Sequence, residues 1–148
     1  MNTKHLLTAS LAGGLISIVL ANAPYLNLIN VLLCAGFWIG PIAAVWLYRR
    51  LDGSLTLRQA LLTGILAGVW HGLFGLLLSP LGLAGAGGLL KEVQPFVSAQ
   101  DWSEVETNLT GVGGLLFNLF GVSVDIVFGF LGGLIGNVIF GARRTTAQ

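Results

Sequence analysis

The run from Leu109 to Gly141 carries 33 residues and one ionisable side chain, Asp125. A stretch of this kind has no polar face to offer water. As one helix it would measure about 50 Å at 1.5 Å per residue, against a bilayer hydrocarbon core of about 30 Å. It therefore fixes lipid as the solvent for this end of the chain, with residues to spare. The span itself is expected at about 121–140. The residues ahead of it either prolong the helix or bend at Gly111, Gly113 and Gly114.

The rest of the chain follows the same rule. It is 55% apolar and 9% charged, where a soluble domain has roughly 25% charged residues. Seven Lys/Arg and six Asp/Glu in 148 residues cannot build a polar coat. Further spans are expected at about 6–23, 28–48 and 59–78, each near the ~20 apolar residues that a crossing needs. The first resembles a secretory signal ending at Ala23. Pro24 would then follow the cut, where a rigid ring without an N–H suits a peptidase poorly, so the segment reads as a retained helix. Pro24 to Asn27 and Asp52-Gly53 read as turns. Pro41, inside the second span, removes an amide and predicts a kink. The expected architecture is a single all-α membrane domain over 1–148, with four transmembrane helices in a tight bundle. An outer loop at 80–108 joins the third and fourth helices and holds an amphipathic segment. Within it, Ser103-Glu104-Val105-Glu106 fits a capping box and predicts a helix starting near Ser103.

Charge sets the expected orientation. With the N-terminus in the cytoplasm, Lys4, Arg49, Arg50, Arg58, Arg143 and Arg144 all face that side. Lys91, Glu92, Asp101, Glu104 and Glu106 face the other. Basic residues concentrate on the cytoplasmic side of membrane proteins. Tyr48 and Trp46 suit the cytoplasmic interface belt, and Trp102 the outer surface.

Small residues recur every four positions: Ala9, Gly13, Ser17 and Ala21; Gly36, Gly40 and Ala44; Gly64, Gly68 and Gly72; and Gly121, Gly129 and Gly133, with Gly132 and Gly136 beside them. In lipid, close backbone approach drives helix association, and small side chains permit it. Gly13, Gly36, Gly40, Gly64, Gly68, Gly72, Gly129 and Gly133 are therefore the expected packing positions. "LLTASLAG" (6–13) and "LLTGILAG" (61–68) share six of eight residues. Two parallel copies of a helical hairpin would explain the match. Chance in a Leu/Ala/Gly-rich chain is the alternative.

Two ionisable groups fall inside expected spans, His71 and Asp125. Such groups are costly in lipid and face the protein interior. His71 shares a helical face with Gly64, Gly68 and Gly75, and Asp125 with Asn118, Gly121, Gly129 and Gly132. His71 lies near the centre of its span and Asp125 about four residues inside the outer end of its own. The expected height difference is under about 10 Å, which tilt or a water would close. The pair reads as a polar clamp between helices, with a proton- or ion-coupling site as the alternative. Asn118, Ser123 and Asn137 are candidates for interhelical hydrogen bonds.

Other chemistries are disfavoured. A net charge of +1 gives no basic field for nucleic acid. The single cysteine, Cys34, excludes an intramolecular disulfide and a cysteine-based zinc site, and reads as a small core residue. His5 and His71 are too far apart for a metal motif, and the Gly-rich pieces lack the strand–turn–helix context of a dinucleotide loop. No catalytic residue, metal or cofactor is expected.

The segments "PYLNLINVLLCAGFWIGPIAAVWLYRR" and "GSLTLRQALLTGILAGVWHG" resemble small prokaryotic Gly-rich four-helix membrane proteins of unknown function. The shared features are a Pro/Asn turn, a Cys in the second span, a small-residue stripe ending in Tyr-Arg-Arg, and a Gly-rich closing helix before a basic tail. The resemblance implies a bacterial inner-membrane location. The expected function is a non-catalytic structural or accessory subunit that meets lipid and either other membrane subunits or further copies of itself. The alternative is a small proton- or ion-coupled channel or carrier.

Overall fold

The computed structural model describes residues 2–22, 35–81, 94–96 and 98–141. The Pro24–Asn27 turn, Cys34, the first part of the second expected span, the Gly82–Gly88 link, Lys91, Glu92, Arg143 and Arg144 lie outside the described residues. All regular structure among the described residues is helical. Helix α1 runs Thr3–Asn22, α2 Ala35–Asp52, α3 Leu57–Leu78, α4 Ala99–Thr110 and α5 Val112–Phe140, with single 3-10 turns at Ser79–Leu81 and Gln94–Phe96.

Three stretches are long and apolar enough to cross a membrane: Thr3–Asn22, Leu57–Leu81 and Val112–Phe140. This makes a multi-pass membrane protein the consistent reading. The described part of α2 is 18 residues and ends in Arg49, Arg50, Leu51 and Asp52, so it does not meet that standard by itself. The surface is consistent with that reading. Val19, Leu77, Phe120 and Val138 are each more than half exposed, whereas Ser10, Ser17 and Thr63 are fully buried.

Local chemistry places the helix ends. Thr56 caps α3: its hydroxyl accepts from the Gln59 amide at 3.3 Å, and the Gln59 side chain accepts from the Thr56 amide at 2.7 Å. That reciprocal pair satisfies two amides otherwise lost at a helix start. Gly53, at φ +74°, takes the left-handed conformation that ends α2, and its amide bonds the Arg49 carbonyl at 2.9 Å. Pro41 stands within α2 with its side chain fully buried.

The helix expected near Ser103 starts earlier, at Ala99. The Trp102 amide bonds the Ser98 carbonyl at 2.9 Å, and Ser103 sits inside the helix with its carbonyl accepting from the Thr107 hydroxyl at 2.7 Å. Ser98, not Ser103, holds the position before the first turn. Ala99 and Gln100 are good helix formers, so the helix extends back over them. Trp102 and Val105 are half-buried on one side of α4, while Ser103, Glu104 and Glu106 are exposed. The last helix also exceeds expectation, beginning at Val112 with Gly111 before it, so Gly113 and Gly114 lie inside a continuous helix.

Four long helices pack as two antiparallel hairpins. In the α1–α2 pair, a Cβ on Gly13 would stand 2.6 Å from the Ala44 Cβ and 2.7 Å from the Gly40 carbonyl oxygen. Gly40 in turn lies against Ser17. In the α3–α5 pair, a Cβ on Gly64 would strike the Gly129 carbonyl, and one on Gly133 would stand 2.9 Å from the Ala60 carbonyl. The hairpins join through α1 beside α3, with Gly14 against Trp70, and through α2 beside α5. There Gly132 meets Pro41, and Gly136 meets Val45. Seven of the eight expected packing glycines thus touch a neighbouring helix. Gly36 lies in α2, and its surroundings are outside the described residues. A core of Leu6, Ala9, Val45, Tyr48, Leu55 and Ala60, with Phe140 against it, closes the end where α1 and α3 begin.

Candidate functional site: a buried histidine–aspartate pair

The packing of α3 on α5 decides where the two ionisable groups of the expected spans fall. A Cβ on Gly68 would strike the carbonyl oxygen of Asp125. One turn on, Gly72 is tightly packed: a Cβ there would stand 3.0 Å from both Val122 methyls and 3.1 Å from Asp125 Oδ2. The backbones are close enough for the next side chain, His71, to reach Asp125 directly. His71 Nδ1 lies 2.9 Å from Asp125 Oδ1, and both side chains are more than nine-tenths buried. The contact is off-axis: neither atom has an in-line hydrogen-bond partner among the described residues. It is a close polar contact rather than a well-formed hydrogen bond.

The expected height difference disappears in the register of α5 on α3, which sets Asp125 against Gly68 and Val122 against Gly72. Asp125 is thus level with His71, and no bridging water or tilt is required. The rest of the shell is apolar. The Phe37 ring meets the His71 ring edge-on with centroids 5.5 Å apart, and Phe128 lies against Phe37 at 5.6 Å. From α1, a Cβ on Gly14 would stand 3.1 Å from the His71 amide. Ser17 Oγ is a third buried polar atom without a hydrogen-bond partner among the described residues.

Of the other expected polar contacts, Asn118 bridges helices: its Nδ2 donates to Ser79 Oγ at 3.0 Å. Ser123 does not. It is exposed, and its hydroxyl donates to the Leu119 carbonyl of its own helix at 3.2 Å, the usual self-satisfaction of a helical serine. Asn137 closes α5 through its carbonyl, which accepts from the Gly141 amide at 2.7 Å.

A second polar cluster was missed by sequence reasoning. Tyr48 is fully buried, not placed in an interface belt. Its hydroxyl donates to Asp52 Oδ2 at 3.0 Å, and His5 Nδ1 lies 3.4 Å from Asp52 Oδ1. This ties the start of α1 to the end of α2. Partial desolvation alone would raise the Asp52 carboxyl, but the contacts from Tyr48 and His5 outweigh it and hold the group below the ordinary carboxylate value. The Tyr48–Asp52 spacing of four was a visible signal; His5 required the hairpin register. Trp46 does stay exposed, with the Arg50 guanidinium 5.3 Å from its ring centre.

Among the described residues no group of three or more His, Cys, Asp or Glu is placed to hold a metal ion. No protein-family model, curated protein or solved structure matches this chain.

Proposed function

We propose that the chain is a non-catalytic integral membrane protein that crosses a prokaryotic inner membrane four times and acts as a structural or accessory subunit. Both termini face the cytoplasm in this reading. Lys4, Arg49, Arg50 and Arg58 gather at one end of the bundle, which is the support for that orientation. Gly13 lies beside Ala67. The octets 6–13 and 61–68 therefore run side by side, as duplicated hairpins would.

The observation that carries the subunit reading is the overhang of α5. Asn118 is level with Ser79, at the end of α3. The residues from Val112 to Phe117 pass beyond it, and Val112, Leu116 and Phe120 form an apolar ridge, each at least 60% exposed. Lipid, a partner subunit or a second copy would cover this ridge. In the same reading His71–Asp125 is an internal clamp. Co-purification in mild detergent tests the proposal: the chain should travel with another membrane protein or as a homo-oligomer, and Leu116→Ser with Phe120→Ser should release it. A chain that runs as a monomer in every mild detergent tried argues against it.

A second reading, proton or ion coupling through His71 and Asp125, is favoured by one specific feature. Two buried, oppositely ionisable groups touch without forming an in-line hydrogen bond.

A further inference from the structure

The two helices that carry the pair meet at a second polar contact nearer the Ser79 end. His71, Gly75 and Ser79 follow one another at four-residue spacing on α3 and its terminal turn; Asn118, Gly121 and Asp125 lie on one face of α5. Their ends are joined, His71 to Asp125 at 2.9 Å and Ser79 to Asn118 at 3.0 Å. Between these contacts stand the two glycines, and the packing there is unlike that of the others. Among the described residues nothing lies within 4 Å of a Cβ built on Gly75 or on Gly121. At Gly64, Gly68, Gly129 and Gly133, on the other side of the pair, such a Cβ would collide with backbone.

We infer that Gly75 and Gly121 open a narrow polar niche through which water from the Ser79 end reaches His71 and Asp125, and that the pair takes up and releases a proton through it. The inference rests on the second reading above and adds to it the side of access. The niche is about 10–12 Å deep, from the eight-residue step from His71 to Ser79 and the seven-residue step from Asn118 to Asp125. Its mouth carries a hydroxyl and a carboxamide, its walls lack side chains at both glycines, and its floor carries the only two ionisable groups of α3 and α5 between Gln59 and Phe140. Toward the other end the backbone contacts and the Phe37–Phe128 rings close the path. From α1 His71 meets Gly14, from α2 Phe37 and from α5 Asp125. Asp125 is therefore the titratable group that faces it among the described residues. A proton arriving on the imidazole leaves His71 cationic beside the carboxylate; its departure to niche water restores the neutral ring. No other co-reactant is needed.

Cysteine accessibility tests the route, and ring titration tests the cargo. In a Cys34→Ala background in lipid nanodiscs, Gly75→Cys and Gly121→Cys should react with a charged methanethiosulfonate. Leu73→Cys, on the exposed apolar surface nearby, should stay unmodified, because the reagent needs a thiolate in water. Equal protection of all three sites would mean that the glycines face lipid, and the access route would be overturned. Separately, in a His5→Gln background, the ¹⁵N signals of the His71 ring should follow bulk pH. Gly75→Leu with Gly121→Leu should abolish that response while the helical signal is retained. Labelled cysteines with a ring that never titrates would overturn the proton reading and leave a hydrated clamp. A titration unchanged in the double leucine variant would overturn the niche as its path.

Discussion

Gly68 leaves no room for a Cβ beside the carbonyl oxygen of Asp125, and that close approach of the two helices brings the aspartate's carboxylate to His71. Packing and site are therefore one arrangement. Gly68→Ala should be strongly destabilising, since the new Cβ meets backbone on a second helix, which has no rotamer to move. Overpacking typically costs about 1–3 kcal/mol, and the loss should show as a lower unfolding midpoint in nanodiscs. Gly75→Ala, where nothing among the described residues stands within 4 Å, should leave the midpoint nearly unchanged. Equal effects at the two positions would contradict the packing scheme.

The pair itself calls for a double-mutant cycle. His71→Phe alone leaves a buried carboxylate without its partner, and Asp125→Leu alone leaves a buried imidazole. Removing one member of a buried pair costs about 3–5 kcal/mol. Replacing both restores an apolar contact beside Phe37 and Phe128, so the double variant should be more stable than the sum of the single changes requires. Strict additivity in chemical unfolding would show that the two side chains do not interact across α3 and α5.

The clasp of His5, Tyr48 and Asp52 has a pH dependence with a definite sign. The folded-state value of Asp52 lies below the ordinary carboxylate value of 3.8. A depressed carboxyl contributes stability that is fully present above its unfolded value and is lost as pH falls through the folded one. The difference in midpoint between the wild type and Asp52→Asn should hold steady from neutral pH to about pH 5 and shrink below about pH 4. Tyr48→Phe, which removes the donor to Asp52 Oδ2, should show a smaller difference that shrinks over the same range. A difference that grows on acidification would refute the assignment.

Much of this arrangement was legible in the chain because helices apolar enough to span a membrane follow a simple code. His71 and Asp125 stood out as ionisable groups in apolar runs, and seven packing glycines stood out by their spacing, whereas Gly121 of the same series meets nothing within 4 Å among the described residues. Three things were not legible. The level of Asp125 depended on the register of α5 against α3, and the start of α5 was hidden because Gly111 carries no side-chain cap to mark it. The fate of Tyr48 depended on Asp52 one turn later and on His5 in another helix, a contact that aromatic-belt statistics ignore. Ser123 carried the right chemistry but faced outward, where its own helix satisfies it.

Helix starts give the sharpest comparison of pattern with outcome. Thr56-x-x-Gln59 and Ser103-x-x-Glu106 are the same motif on paper. The first forms both reciprocal bonds at the start of α3, whereas the second lies inside α4. The difference is what precedes them. Gly53, at positive φ, and the extended Thr56 backbone break the chain before α3, whereas Ala99 to Trp102 are already helical and carry the helix through Ser103. Thr56→Ala should therefore lower stability by about 1 kcal/mol, the usual loss for an N-cap. Ser103→Ala should be neutral or slightly stabilising, because alanine is the better helix interior residue. Hydrogen exchange at the first amides of α3 would separate the cap from a general effect: Gln59 should lose protection in Thr56→Ala, with the centre of α3 unchanged. If Ser103→Ala frays α4 as much as Thr56→Ala frays α3, the helix begins at Ser103 after all.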